Sequence, residues 1–194
     1  MTQFTLTITG TKPLLIHNSQ LSDPLNRWAR EMKKISGKRT KTDEDHLELA
    51  RLEFFGGLYF DDDLGPVMPS QNIEAAIADG AKRTKQGKNV GRGLFITDLV
   101  TPIVYAGPRD LDALWGDGES EYVHRASVKV GTSRVMRTRP IFRQWVLEAD
   151  GFFDDQIFSL ETVEQILADA GSYAGLGDWR PRFGTFTHTL EVKK

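Results

Sequence analysis

The sequence contains no cysteine, no long apolar run and no low-complexity segment. The lack of cysteine excludes disulfide bonds and thiolate metal sites. No stretch approaches the roughly 20 consecutive apolar residues that a membrane-spanning helix needs. The opening residues 1–6 alternate like a strand and lack the charged region and apolar core of a signal peptide. We therefore expect a cytoplasmic protein with no membrane segment.

Charged side chains are abundant but segregated, so the net charge of −2 conceals basic blocks. Residues 30–41, 82–92 and 125–143 hold 17 of the 25 lysines and arginines and only one acidic residue. The acidic residues gather at 43–48, 61–63, 110–121 and 148–155. A solvated protein face also carries such blocks, but three of them on one fold favour a surface that contacts phosphates.

The order of periodic segments predicts one α+β domain over residues 1–194. Alternating apolar residues predict a strand at 2–9 and a hairpin of 121–130 with 134–147 about residues 131–133. Apolar runs predict further strands at 94–96, 103–105 and 183–190. Helical spacing predicts a helix from Ser70 to about Arg83 and a last helix from Ser159 to Gly171. This order is close to β-α-β-β-α-β, a ferredoxin-like or RRM-like antiparallel sheet with two packed helices.

An insertion is predicted after the first strand, at about residues 19–57. Residues 33–41 indicate a mobile basic loop, and residues 82–92, with glycines between the cations, indicate a second. Thr42 with Asp45 has the form of a capping box, so a helix should follow, with Leu47, Ala50 and Phe54 on one face. Asp61, Asp62 and Asp63 favour an acidic turn over a cation site, and we expect no metal or cofactor.

The strongest functional signal is the glycine-rich stretch at residues 171–184, GSYAGLGDWRPRFG. Glycines let the backbone take positive φ, and successive N–H groups in such a turn can form an anion-binding concavity. Arg180 and Arg182 supply guanidinium groups suited to phosphate, and Trp179 supplies a stacking face. The alternative is a plain turn in which Trp179 fills the core. The predicted nucleic-acid-binding residues of this stretch are Gly175, Gly177, Trp179, Arg180 and Arg182.

Cations elsewhere in the chain are predicted to contact the same strand of nucleic acid. Glycine-spaced cations suit a loop that touches phosphates, and arginines two residues apart share a strand face. These residues are Lys82, Lys85, Lys88 and Arg92 in the second basic block, Arg134, Arg137 and Arg139 in the hairpin, and Lys38, Arg39 and Lys41 in the predicted mobile loop.

The glycine-rich stretch also resembles the C-terminal glycine-rich loop of the RAMP superfamily, the RNA-binding proteins of CRISPR systems. Residues 66–70 (PVMPS) and the small-residue helix after them resemble the proline, small residue and helix that occur in this order in the backbone-subunit branch of that family. The end of the opening strand, residues 13–17, also fits the family's pattern. The chain differs from the usual loop in having Asp178 and Pro181. The resemblance implies a non-catalytic protein that binds single-stranded nucleic acid, RNA rather than DNA, and assembles side by side along the strand.

Two other functions stay open at this level. Some RAMP proteins are metal-independent ribonucleases, in which His17 or His124 would act as the base and a lysine or arginine would stabilise the developing charge. A viral or mobile-element relative would instead be a protein-interaction module that mimics or blocks a CRISPR complex.

Overall fold

The computed structural model describes residues 1–193, and of Val130 it describes only the backbone. The strands are β1 (Thr2–Gly10), β2 (Leu14–Leu15), β3 (Phe60–Asp61), β4 (Gly65–Pro69), β5 (Leu94–Ile96), β6 (Val100–Pro102), β7 (Val123–Val130), β8 (Ser133–Phe142), β9 (Val146–Phe153) and β10 (Phe186–Val192). The helices are α1 (Arg27–Ser36), α2 (Asp43–Gly57), α3 (Ser70–Ala81), α4 (Gly87–Gly93), α5 (Leu111–Trp115) and α6 (Leu160–Asp169). Short 3₁₀ segments cover Ser19–Ser22 and Lys82–Thr84, and a π-helical turn covers Ala170–Ala174.

The chain folds into two compact units. Unit 1 comprises Met1–Leu14, Pro66–Ala106 and the chain from Phe142 onward, and unit 2 comprises Leu15–Gly65 and Gly107–Ile141. The predicted single domain with an insertion stays a prediction; residues 19–57 all lie in unit 2. Helices and antiparallel sheets together confirm the α+β class. No helix in residues 1–193 combines the length and the apolar character needed to cross a membrane.

Unit 1 is built on a four-stranded antiparallel sheet in the spatial order β10-β1-β9-β5. β1 lies inside the sheet, where Phe4 is opposite Val192 on one side and Gly151 on the other. Alternate residues of β1 are buried, as expected for a strand with one face on the core. This confirms the strand predicted at residues 2–9.

Two helices supply the rest of the unit 1 core. α3 comes between β1 and β5 in the chain, α6 comes between β9 and β10, and the two helices contact each other. Ile73 and Ile77 of α3 and Val163 and Leu167 of α6 are at most 1% exposed. Fully burying an aliphatic side chain stabilises a fold by roughly 1.5–3 kcal/mol, so these helices are held by their apolar stripes.

Unit 2 contains α1, α2, α5 and the β7–β8 hairpin. Its aromatic core includes Trp28 edge-on to Phe55 at 5.5 Å between ring centroids and Phe54 against Trp115 at 5.4 Å. The predicted capping box is present, because the Thr42 hydroxyl accepts from the Asp45 N–H while the Asp45 carboxylate accepts from the Thr42 N–H. These contacts fix the start and the buried end of α2.

Most of the predicted elements are confirmed. The hairpin pairs β7 with β8 and turns at residues 131–132. Ser159 caps α6 by accepting from the Thr162 N–H, and β5 occupies the predicted 94–96. The Asp61 carboxylate accepts from the N–H groups of Asp63 and Leu64, so it closes the predicted acidic turn.

The two predicted basic loops are partly helical, and both predictions are wrong there. α1 continues through Lys33 and Lys34 to Ser36, because lysine is a good helix former and cations suit a helix C-terminus. The loop therefore begins at Gly37. Residues 87–93 form α4 despite their glycines, because Val90 is buried at 1% exposure and packing overrides weak propensity.

Several predicted boundaries and faces are also wrong. α6 is followed by the π-helical turn, so the helical chain runs to Ala174, past the end predicted at Gly171. The run predicted at 134–147 is broken between β8 and β9, and the strand predicted at 103–105 is displaced to β6. Leu47, expected on the buried face of α2, is 47% exposed because it lies in the solvent-facing first half of that helix.

Candidate functional site

The C-terminal loop (residues 175–184) follows the π-helical turn and precedes β10. Gly175, Gly177 and Gly184 have φ of 72°, 81° and 71°, and Trp179 has φ of 53°. Glycine adopts a positive φ without the steric strain that it causes in other residues, so the glycines allow the backbone of the loop to take this conformation. The Arg180–Pro181 peptide bond is cis. The Gly175 N–H donates to Ala170 O and the Leu176 N–H to Gly184 O, each at 2.8 Å, so neither group is available to the predicted anion-binding concavity.

Gly184 closes the loop. Its N–H donates to Pro13 O at 2.8 Å, and a Cβ built on it would overlap the carbonyl oxygen of Leu176. The contact leaves no room for a side chain, and the positive φ independently favours glycine. The loop is therefore fixed at both of its ends by main-chain hydrogen bonds within unit 1.

Gly80 brings the end of α3 against the same region. A Cβ on Gly80 would clash with the backbone nitrogen of Ala170, so only glycine allows α3 to pack this closely on the π-helical turn. Lys82 and Arg83 follow directly, and the close approach places them beside Tyr173 and Arg180. Residues about 90 positions apart in the chain thus meet at one surface.

Together these segments line a cleft of about 430 Å³, which we call the unit 1 cleft. It is lined by Asp79, Lys82, Arg83, Tyr173, Ala174, Arg180 and Pro181. The Arg83 guanidinium carbon lies 3.8 Å from the centroid of the Tyr173 ring, and Tyr173 is 56% exposed. An arginine stacked on an exposed ring combines a cation with an apolar platform.

Two carboxylates hold the cations of the unit 1 cleft in place. Asp79 accepts from Lys82 Nζ at 2.6 Å, and its other oxygen lies 3.3 Å from Arg180 Nη2. Arg180 Nη1 also donates to Gly175 O at 3.3 Å, and Arg83 Nε lies 3.6 Å from Asp169. The hydrogen bond from Lys82, with the charges of Lys82 and Arg180, holds the pKa of Asp79 below its usual value. Asp79 therefore stays ionised and orients both cations.

Trp179 and Arg182 extend the loop outward from the cleft. Trp179 is 44% exposed, so the alternative in which it fills the core is wrong. The Arg182 guanidinium carbon lies 5.2 Å from the Trp179 ring centroid, and Phe183 packs against the same ring at 5.7 Å. Among the described residues, no carboxylate lies within ion-pair distance of exposed Arg182. The loop thus presents a second arginine–aromatic pair.

The other predicted cations of unit 1 follow α3. Lys85 sits in a left-handed conformation with φ of 61°, and Lys88 and Arg92 lie on α4; all three side chains are exposed. α4 packs against α3, and its first residue, Gly87, approaches the Lys82 side chain. These cations therefore belong to the same unit as the cleft, although they do not line it.

The remaining six predicted residues lie in unit 2; Lys41 and Arg137 line one cleft there, and the other four do not line it. Arg134 is exposed near the hairpin tip, Arg137 forms an ion pair with buried Glu53 at 2.9 Å, and Arg139 is half-buried. Lys38 pairs with Asp45 at 2.6 Å, Lys41 Nζ donates to Lys38 O, and Arg39 is exposed.

The two candidate catalytic histidines also lie in unit 2. His17 is exposed, and His124 is half-buried opposite Arg139 in the hairpin ladder. Within residues 1–193, no group of three or more histidines and carboxylates is placed to hold a metal ion.

Arg83 and Tyr173 line the unit 1 cleft but were not among the predicted site residues. Both stood in stretches already singled out, the second basic block and the glycine-rich stretch. What the sequence did not reveal is that Gly80 packs against Ala170, which brings those two stretches together.

The chain matches no protein-family model and no curated protein. The geometry of the unit 1 cleft and the C-terminal loop is therefore the basis for assigning a function.

Proposed function

We propose that this protein binds the sugar–phosphate backbone of single-stranded nucleic acid, without catalysis, through the unit 1 cleft and the C-terminal loop. The observation that carries the proposal is the convergence of Lys82, Arg83 and Arg180 around exposed Tyr173. Backbone phosphates are bound by such cations, and bases of any sequence stack on exposed aromatic rings.

The balance of charge in the unit 1 cleft supports binding of a phosphate over binding of a cation. Three cations share two carboxylates there, and Arg182 adds a cation next to Trp179. Arginine presents a planar set of donors that engages phosphate in bidentate geometry. Asp79 occupies only part of the donor set of Arg180, so a phosphate approaching from solvent finds donors already oriented.

We further propose that unit 1 is a ferredoxin-like domain of RAMP type. Read across the sheet, β10, β1, β9 and β5 are the fourth, first, third and second of these strands along the chain, and one long helix, α3 or α6, lies in each half. This arrangement supports a β-α-β-β-α-β unit. The preference for RNA and the side-by-side assembly rest on the resemblance of the C-terminal loop to the RAMP superfamily.

The test is the salt dependence of binding to a fluorescent 20-nucleotide oligo(U), with oligo(dT) alongside. If backbone phosphates are neutralised, log Kd should change with log salt by roughly 0.7 per phosphate contacted. Affinity that does not change between low and physiological salt would contradict the proposal. On longer strands we expect cooperative binding with growing mass by light scattering, and a strict one-to-one complex would reject side-by-side assembly alone.

A second candidate is a metal-independent endoribonuclease, and one observation favours it. His124 lies opposite Arg139 in the β7–β8 ladder, so a histidine of the type that acts as general base shares a face of the hairpin with an arginine. Cleavage of a hairpin RNA in EDTA that is abolished by His124→Ala, with His17→Ala compared in parallel, would establish it. Co-purification with other proteins and without nucleic acid would favour the interaction-module alternative.

A further inference from the structure

Unit 2 contains a second, larger cleft that the proposed function does not use. It measures about 840 Å³ and lies among α1, α2, the loop before α2 and the β7–β8 hairpin. Its volume is within the range of small-molecule sites, roughly 300–1,000 Å³. We call it the unit 2 cleft, and every residue that lines it belongs to unit 2.

The walls of the unit 2 cleft are mainly apolar, and part of that surface is open to solvent. Met32 and Ala50 come from the two helices, and Leu47, Val135 and Met136 are 47%, 36% and 64% exposed. Clustered apolar side chains left in contact with water usually mark a binding surface. Methionine is flexible and polarisable, so such a wall adapts to apolar molecules of different shape.

The floor of the same cleft holds a fixed guanidinium. Glu53 is 5% exposed and accepts from Arg137 Nη1 at 2.9 Å and from the Thr138 N–H at 2.8 Å. Arg137 itself is 39% exposed on its side chain. Within the described residues, its other guanidinium N–H groups meet no protein acceptor. Glu53 therefore orients Arg137 and leaves donors pointing to a ligand.

The remaining charges of the cleft favour an anion. Lys41 and Arg125 join Arg137 in lining it, together with the carboxylates of Glu53 and Asp43. Arg125 is already paired with Glu119 at 3.2 Å, so Lys41 and Arg137 are the cations that face a ligand. Glu53 is already satisfied by its two donors. Within residues 1–193, Lys41 Nζ donates to the carbonyl of Lys38 and forms no ion pair with a carboxylate. A cavity with apolar walls and a few oriented cations is complementary to a molecule with an apolar body and one negative group.

We propose that the unit 2 cleft binds a small amphiphilic anion, that is, an apolar chain or ring that carries one carboxylate. The apolar body lies against Leu47, Val135 and Met136, and the carboxylate binds Arg137 and Lys41. This site is independent of nucleic-acid binding, because its residues lie in unit 2 and its ligand requires an apolar wall.

The methionines provide a direct readout. The chain has four methionines, of which Met32 and Met136 line the cleft, Met68 is 0% exposed in unit 1 and Met1 is the first residue. We would label the methionine methyl groups with ¹³C and titrate decanoate, below its micellar concentration and without nucleic acid. The Met32 and Met136 signals should shift together and saturate, while Met68 stays in place. Decanol and acetate at the same concentrations should shift them much less.

Two variants and one control test the assignment. Lys41→Gln should weaken decanoate binding by about two- to fivefold, because partly exposed ion pairs are weak. Leu47→Lys puts a charge into the apolar wall and should abolish binding, whereas Leu99→Lys, at a position 85% exposed in unit 1, should leave it unchanged. Shifts of Met68 equal to those of Met136, or equal binding of decanol and decanoate, would overturn the proposal.

Discussion

Two turns of this chain place a glycine with positive φ near arginines, and they differ in what surrounds the glycine. Gly131, at the tip of the β7–β8 hairpin, has φ of 60° and open space within 4 Å of a built Cβ. Gly184, at the end of the C-terminal loop, has φ of 71° and is in close contact with Leu176. The backbone requirement is the same, but only the second turn is packed.

The difference extends to the arginines beside each turn. Arg180 is held by Asp79 and by the carbonyl of Gly175, whereas Arg134 near the hairpin tip makes one long hydrogen bond of 3.4 Å to Ser127. An oriented side chain loses less conformational entropy on binding than a mobile one. We therefore expect the C-terminal loop to contribute more affinity per arginine than the hairpin tip.

The largest effect should come from Gly184→Ala, compared with Gly131→Ala. Both variants carry a left-handed strain of about 1–2 kcal/mol, and only Gly184→Ala adds a steric overlap, for a total cost of about 3 kcal/mol or more. Urea unfolding of the two variants measures the difference. Equal midpoints would show that the C-terminal loop is no more tightly packed than the hairpin tip.

Replacing Arg180 and Arg182 together by alanine should weaken binding of single-stranded nucleic acid about ten- to a hundredfold. Charged hydrogen bonds contribute roughly 1.5–3 kcal/mol each, and partial solvation lowers that value. The loss should be similar for all sequences, since phosphate contacts do not read bases. Fluorescence anisotropy measures it, with Lys33→Ala/Lys34→Ala on α1 as the control. A folded double variant with unchanged affinity would show that the C-terminal loop is only a structural turn.

Arg137→Gln should destabilise the protein by about 2 kcal/mol, because it leaves the Glu53 carboxylate buried without its cation. Breaking a fully buried pair costs about 3–5 kcal/mol, and the partial exposure of Arg137 lowers that figure. Arg134→Gln is the matched control and should stay within about 0.5 kcal/mol of the parent. If the two variants have the same melting temperature, Arg137 has no structural role.

Trp179→Ala should weaken binding about fivefold and leave the free energy of unfolding within about 1 kcal/mol of the parent. Stacking of a base contributes roughly 1–3 kcal/mol, and the half-exposed ring favours the low end. Trp179→Phe keeps a stacking face and should recover most of the affinity. A loss of stability larger than the loss of binding would restore the reading of Trp179 as a core residue.

The smallest effect concerns pH. The folded-state pKa of Asp79 is lowered, chiefly by the hydrogen bond from Lys82, so its ion pairs stabilise the fold fully above the ordinary aspartate pKa of about 3.9. That contribution disappears as the pH falls through the lower folded-state value, and partial exposure keeps it under about 1 kcal/mol. Parent and Asp79→Asn should therefore converge in stability from pH 6 to pH 3. A constant gap would remove Asp79 as the titrating group.

Local signals made much of the fold predictable. The alternation in β1, the capping box at Thr42 and the Ser159 cap each depend on residues within a few positions, so the sequence displays them directly. α4 was missed because Gly87, Gly91 and Gly93 argue against a helix, while the packing of Val90 that stabilises it is a tertiary contact. Local propensity cannot anticipate that contact.

The candidate site was predictable only in part, for a related reason. Trp179, Arg180 and Arg182 stand out because a glycine-rich stretch with arginines is unusual in composition. Arg83 and Tyr173 become a pair only through the contact of Gly80 with Ala170, a relation between distant segments. The roles of Asp79 and Asp169, the carboxylates that orient the cations, could not be predicted from the sequence, because these ion pairs also join distant segments.

The order of strands in unit 1 has a consequence for synthesis on the ribosome. β1 emerges first, yet its two partners are β9, which begins at Val146, and β10, which begins at Phe186. All segments of unit 2 are made by Ile141, before either partner exists. Both hydrogen-bonding edges of β1 therefore stay without their partner strands until β9 and then β10 are made, and long-range pairing of this kind is slow and prone to aggregation. We expect the nascent chain to depend on chaperones that hold this first strand until β9 arrives.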